Sequence, residues 1–356
     1  MGHILWGKKM LKKVLSIIVC ICLLSVAAGC KKKTDTLSVD SGDIPSAPVE
    51  SQEQVVYSVN PLTGIAELSE DKATDRPVAI MVNNISTAQG VQTGLTKADI
   101  VYETEVEGGI TRLLAVYQDI TKAERIGSVR SARYAYIDLA IGHNAIYVHH
   151  GQDPIYAAPH LKDTDNYTLS TSNGGARISN GLSSEHTLYA YGDKLWKNII
   201  SSGWKTKNSS VTNWQNFAAE TAPVTLPNVA TSVSVPFSAS YKTTFNYDAA
   251  TGKYTRLFNG IVRKDYISGE TENFKNVFVL MTSISNYSDG KHRKIALSSG
   301  TGYYCVNGTY TQINWSKGSA SSGFVFTNTD GTPLTVNPGN SWVCLANTYT
   351  TQPTFQ

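Results

Sequence analysis

The 356-residue chain has only five cysteines, and three of them, Cys20, Cys22 and Cys30, fall before residue 31. Only Cys305 and Cys344 remain for the rest of the chain, too few for a disulfide framework; they can form one bridge or lie as two buried thiols. Charge is also sparse: charged residues make up 17% of the sequence against 41% hydrophobic ones. A chain of this composition can bury a sizeable core, so it is not disordered throughout. The 31 basic and 28 acidic side chains give a net charge of +3. Lys8, Lys9, Lys12 and Lys13 lie in a segment expected to be removed, and without them 27 basic face 28 acidic groups. A near-neutral mature protein has no global electrostatic footprint for nucleic acid. Catalytic signatures are missing as well. There is no G-x-S-x-G, no H-E-x-x-H and no P-loop. Ser202 to Lys205 has S-x-x-K spacing, but no S-D-N or K-T-G accompanies it. No cysteine follows His150-Gly151 closely enough for a transpeptidase of the L,D type. The string Asn328, Asp330, Gly331 begins like a calcium loop, yet Phe326 and Asn337 occupy its end positions. No metal or cofactor is expected.

What is present begins with an address. From Met10 the chain reads MLKKVLSIIVCICLLSVAAGC, a basic start and an apolar run from Val14 to about Ala28 that is short for a bilayer span. Small residues Ala27, Ala28 and Gly29 precede Cys30, and Lys31 to Lys33 follow. This resembles the lipobox of bacterial lipoproteins, in which the cysteine is acylated and becomes the first mature residue. Residues 1–29 are therefore expected to be a signal peptide, with Met1 or Met10 as its start. Each buried methylene of an acyl chain contributes about 0.8 kcal/mol, so two or more chains anchor stably. Residues 30–60, rich in Ser, Asp, Pro and Glu, read as the lipidated cysteine and a flexible tether reaching about 30 Å.

Beyond residue 61 the pattern becomes that of a folded body. Arg76 to Asn84 (RPVAIMVNN) reads as a buried strand. ADIVYETEV and ITRLLAVYQ read as a hairpin about Gly108-Gly109. A two-residue turn would place Glu105 opposite Arg112 and Glu107 opposite Ile110, so that Glu103, Glu105 and Glu107 share a face with Arg112. Apolar residues on both faces predict a sheet covered on both sides. Ser128 or Ser131 can cap a helix running to about Ile141 and ended by Gly142, and AIYVHHG follows as a strand. From about residue 225, alternating Thr, Ser, Tyr and Val, with turn signals at Ala250-Thr251-Gly252, Asp289-Gly290 and Asp330-Gly331, predict a β-dominated second half.

Three groups of side chains carry the chemistry. Arg125, Arg130 and Arg133 surround the expected helix start, where cations oppose the macrodipole and the first amides favour an anion. The answering charge is either internal, from Glu103, Glu105 and Glu107, or a bound carboxylate or phosphate held by guanidinium forks. His149, His150 and His186, with Asp153, are candidate ligands or acid–base groups, or hydrogen-bonded core residues. Nineteen tyrosines, with Trp196, Trp204, Trp214, Trp315 and Trp342, offer stacking surfaces for sugars or ordinary core packing.

The strings RPVAIMVNN, GLTKADIVYE, VEGGITRLLAVY, RIGSVRSARYAYIDLA, YVHHG, EHTLY, YDAATGKYTR, NVFV and PGNSWV are similar to those of the YerB-type lipoprotein family of Gram-positive bacteria. The resemblance extends from Pro61 almost to the C-terminus. It implies an α+β protein: an N-terminal domain of layered β-sheets with helices (61–222), then a smaller β-rich C-terminal domain (223–356). No established reaction comes with it. The chain departs from the family pattern at Gln89-Gly90, in place of Arg-Pro, at Gln152-Asp153, in place of Gly-Ser, and at Arg263, where a His often stands.

These readings converge on a lipid-anchored lipoprotein at the extracytoplasmic face of the cell membrane. Its partners would be the bilayer, through acylated Cys30, and an anionic cell-wall fragment or envelope protein bound at Arg112, Arg130, Arg133 and Glu107. The alternative is a cell-wall hydrolase or transferase using Glu103 or Glu107 with His149 or His186. Replacement of Cys30 by Ser should release the protein from the membrane fraction or leave an uncleaved precursor, as read by fractionation and intact mass. Wild-type behaviour of that variant would contradict the lipoprotein assignment.

Overall fold

A computed structural model describes residues 56–356; Cys30 and the expected signal and tether up to residue 55 lie outside the described residues. The body is dominated by one large sheet. In chain order its strands are β1 (Val78–Asn83), β2 (Ile100–Glu105), β3 (Thr111–Tyr117), β4 (Ile146–His149), β5 (Asn166–Thr168), β6 (Asn228–Val229), β7 (Asn276–Thr282), β8 (Ser299–Val306), β9 (Thr309–Ser316), β10 (Val325–Asn328) and β11 (Ser341–Asn347). Their spatial order is β6-β9-β8-β7-β11-β2-β3-β1-β4-β5, with β10 paired to β9. The two halves of the chain are therefore joined within a single sheet. The seam is β11, which pairs in parallel with β7 on one side and with β2 on the other. The sheet crosses the boundary expected near residue 223.

Alternation explains both faces of this sheet. Ile80, Val82, Val101, Leu113 and Ala115 point to one core, which also holds Val233, Phe245, Tyr254 and Phe274. Those four belong to a second, six-stranded sheet built mainly of Ser232–Ser238, Tyr241–Asp248 and Lys253–Phe258. Met81, Tyr102, Leu114 and Val116 point to the other core, shared with Tyr136, Ile137 and Ala140 of the helix Tyr134–Gly142. Helices are few and short, and no described helix is long and apolar enough to cross a membrane. The described body is thus mostly β.

Three local expectations are corrected. The hairpin register is shifted by one residue: Glu105 faces Thr111, and Arg112 faces Thr104. Gly108 and Gly109 both adopt positive φ, and Glu107 joins them in the loop, closed by the Val106 amide on the Ile110 carbonyl. A one-residue slip moves a side chain to the opposite face, so Arg112 does not share a face with Glu103. The helix begins at Tyr134 with Arg133 at its N-cap and no capping side chain, so neither Ser128 nor Ser131 caps it. Cys305 and Cys344 are free and buried. They oppose Val277 and Val279 from the two sides of β7. Two strand spacings, roughly 10 Å, separate them, beyond the reach of a disulfide.

Between the two sheets lies a polar network that a hydrophobic core would exclude unless its charges were paired. The Arg256 guanidinium is fully buried. It donates to Glu272 (2.8 Å) and to Asn84 Oδ1 (3.0 Å), and it stacks on Trp342 at 4.5 Å from the ring centroid. Glu103 accepts from Asn84 (3.0 Å), Thr111 (2.8 Å), Thr243 (2.9 Å) and the Trp342 indole N–H (3.2 Å). Burial raises the Glu103 pKa, while Arg256, Thr111, Thr243 and Trp342 oppose the rise. Replacing Arg256 with Met should cost about 3–5 kcal/mol, because it strands the buried Glu272 carboxylate and removes the cation that offsets the burial of Glu103; urea denaturation reads this directly. A cost under about 1 kcal/mol would mean that the network does not hold the layers together.

Candidate functional site

The parallel pair β1 and β4 is in register from Val78↔Ile146 to Ile80↔Val148. Beyond it the strands part and the segment Ser128–Ala132 enters between them. The Asn83 amide donates to Ser128 O (2.9 Å) and the Arg130 amide to Met81 O (3.1 Å) on one side. On the other, the His150 amide donates to Arg130 O (3.1 Å) and the Ala132 amide to Gly151 O (3.0 Å). The backbone needs of both strands are thereby met, and Arg130 and Arg133 are delivered to the strand ends.

Arg112, at the start of β3, joins them. It is only 5% exposed, and its Nη1 donates to Ser131 O at 2.7 Å. No other donor of this guanidinium has an acceptor among the described residues. Its pKa is pushed down to about 9, first by burial and then by the charges of Arg133 and Arg130, with Glu107 opposing; it still carries its charge at neutral pH. The buried Tyr147 hydroxyl lies beside Arg112 and Arg133, whose charges, with the Arg133 backbone N–H, oppose the rise that burial imposes on its pKa. Arg133 Nε donates to both oxygens of Glu107 (2.8 and 2.9 Å). This places a carboxylate near the N-terminus of the helix, where the macrodipole favours it. Arg130 donates to the carbonyl of Glu185 (2.8 Å) and to its carboxylate (3.2 Å), but its buried Nε has no partner. The hydrogen bond and charge of Arg130 lower the Glu185 pKa. Three guanidiniums thus meet two carboxylates.

Arg112, Arg130, Arg133 and Glu107 are therefore brought together as a group, whereas the acid–base candidates are dispersed. Glu103 is sealed between the sheets. His149 is buried, with Nδ1 on Gly151 O (2.8 Å) and Nε2 on Asn166 Oδ1 (3.2 Å), and burial lowers its pKa. His186 takes the Asn83 side-chain amide on Nδ1 (2.9 Å) and presents Nε2 to Glu185 (3.4 Å). Its pKa is lowered by burial, helped by Arg130 and opposed by Glu185. Glu103 and Glu107 pair with neither histidine, so the expected Glu/His couple is not formed. His186 and Glu185 do adjoin, but both are engaged in holding Asn83 and Arg130.

Two members of this surface carried no signal in the sequence. Glu185 precedes His186 and reads as an exposed loop acid; only the fold brings it to Arg130. Arg177 donates to His150 Nε2 (3.2 Å) while His150 Nδ1 donates to Leu169 O (2.8 Å). Asp153 bonds to none of His149, His150 and His186. It accepts from the amides of Ile155, Tyr156 and Ala157 (2.9 to 3.0 Å), which lower its pKa against burial, and it pairs with His292 (3.2 Å). Among the described residues no group of three or more His, Cys, Asp or Glu side chains is placed to hold a metal.

Residues 62–205 match the family model described as the N-terminal domain of a protein of unknown function, DUF3048, and residues 233–343 match its C-terminal domain. The chain is 32% identical over 301 residues to the Bacillus subtilis (strain 168) protein named "Putative lipoprotein YerB", covering 80% of this chain and 84% of the relative. Its fold is similar to the crystal structure of YerB protein from Bacillus subtilis, with a TM-score of 0.72 and 28% identity, over 83% of this chain and 98% of that one.

Proposed function

This chain belongs to the DUF3048 family, the YerB-type proteins, and on that premise we propose that it is a lipid-anchored protein of the extracytoplasmic membrane face that binds an anionic cell-envelope ligand at Arg112. The lipidation reading is supported by Cys30 in its lipobox-like setting and by the name of the relative. The ligand reading rests on one observation: a buried guanidinium holds unpaired donors beside two further guanidiniums, with one carboxylate too few to neutralise them. Burying like charges together is unfavourable, and a fold that only needed packing would place an apolar residue at position 112. A carboxylate or phosphate of a wall fragment would supply the missing charge and accept from the guanidinium fork.

The two roles of Arg112 predict opposite consequences for stability. If it serves a ligand, Arg112→Met relieves repulsion and leaves the melting temperature unchanged or higher, while binding of glycerol 3-phosphate or N-acetylmuramic acid, measured by calorimetry, falls at least about tenfold, some 1.4 kcal/mol. Arg130→Ala, at a more exposed position, should weaken the same binding. A fall in melting temperature of more than about 5 °C with no anion binding by the wild type would make the cluster structural.

A further inference from the structure

A second site lies elsewhere on the body. Where Pro61-Leu62 and Pro77 meet the end of the helix Tyr134–Gly142 and the segment 208–214, a cleft of about 370 Å³ is open to solvent, within the size range of small-molecule sites. Its polar lining is made of short, uncharged side chains, chiefly Asn144, Asn208, Ser210, Thr212, Asn213 and Ser321, and none of its lining residues is Asp, Glu, Lys or Arg. Such groups both donate and accept. Leu62, Val211 and the two prolines supply the apolar part.

One ring nitrogen in this lining lacks a partner. His143 gives Nε2 to the Tyr102 hydroxyl (2.8 Å), while its Nδ1 bonds to nothing among the described residues and is not sealed off. Burial, with Lys317 nearby, lowers the His143 pKa to about 4, so the ring is neutral at physiological pH. Trp214, 8% exposed, turns its indole N–H inward to the same phenol, where it is sealed from solvent. A ligand group that hydrogen-bonds His143 Nδ1 would replace water there.

We propose that this cleft is a binding site for a neutral, hydroxyl-rich ligand about one sugar ring in size, recognised through His143 Nδ1 and the amide and hydroxyl side chains of the lip. A charged ligand has no counter-charge in the lining and would lose its hydration without return. A sugar ring matches the density of two-way hydrogen-bonding groups and sets its C–H faces against proline and valine. The site is independent of Arg112.

The test uses the full chain in a detergent without a sugar headgroup. Glucose and N-acetylglucosamine are titrated by calorimetry and saturation-transfer NMR, with glucuronate and glucose 6-phosphate as charged counterparts. Millimolar binding of at least one neutral sugar is expected, with weaker binding of the charged pair and a shift of the His143 Nδ1 resonance. His143→Gln keeps a group at the Nε2 position for Tyr102 and removes the one at Nδ1, so affinity should fall about tenfold. Ser210→Trp fills the cleft from an exposed loop and should abolish binding at unchanged melting temperature, which keeps the test valid if the histidine variant misfolds. Arg112→Met should leave sugar binding intact. Absence of binding at tens of millimolar, equal binding of the charged sugars, or binding that survives Ser210→Trp would each overturn the proposal.

Discussion

The buried pairing of Arg256 with Glu272, extended through Asn84 to Glu103, is the constraint on which the rest of the structure depends. It joins strands distant in sequence: Glu103 from β2, Thr243 and Arg256 from the smaller sheet, and Trp342 from β11. Ionic groups sealed between two sheets are tolerated only when each finds its partners, so the network admits one relative placement of the layers. Apolar contacts alone are less selective, because many registers bury similar areas.

The network also sets the arginine cluster in place, by alternation along the strands. Asn84 faces the interlayer and holds Glu103 and Arg256, while its neighbour Asn83 engages Ser128 and His186. Thr111 donates to Glu103, and Arg112, the next residue, enters the opposite core and meets Ser131. Each strand end is therefore fixed on one face by the buried network and presents a site residue on the other. The surplus charge of Arg112 is held by a rigid frame, as an anion-recognising group requires.

Much of this was legible in the sequence because strong local signals and tertiary demands agree. RPVAIMVNN, ADIVYE and ITRLLAVY are strands whose apolar residues on both faces announce a doubly covered sheet, and the three turn signals of the second half fall between or after strands. The failures have physical causes. Two consecutive glycines accept positive φ at either site, so the hairpin could close with two or with three loop residues; the three-residue loop prevailed, and with it Glu107 left the strand for Arg133. Cys305 and Cys344 look like a pair in one dimension, but only the insertion of β7 between their strands shows that they cannot bridge. Arg256 and Glu272 stand in short polar stretches with other charged residues, Lys253 and Glu270, where charges read as solvated. Their burial follows from long-range packing that no local pattern encodes.

The central claim is that the frame holds an incompletely neutralised guanidinium ready for an anion. Its most direct measurement is a crystal structure of the protein grown without phosphate or sulfate and then soaked in glycerol 3-phosphate. The account predicts phosphate density within hydrogen-bonding distance of Arg112, with Arg133 still on Glu107 and the β1 and β3 ends unmoved. Density absent from this position, or Arg112 found turned onto Glu107 or Glu185 with all its donors satisfied, would contradict it.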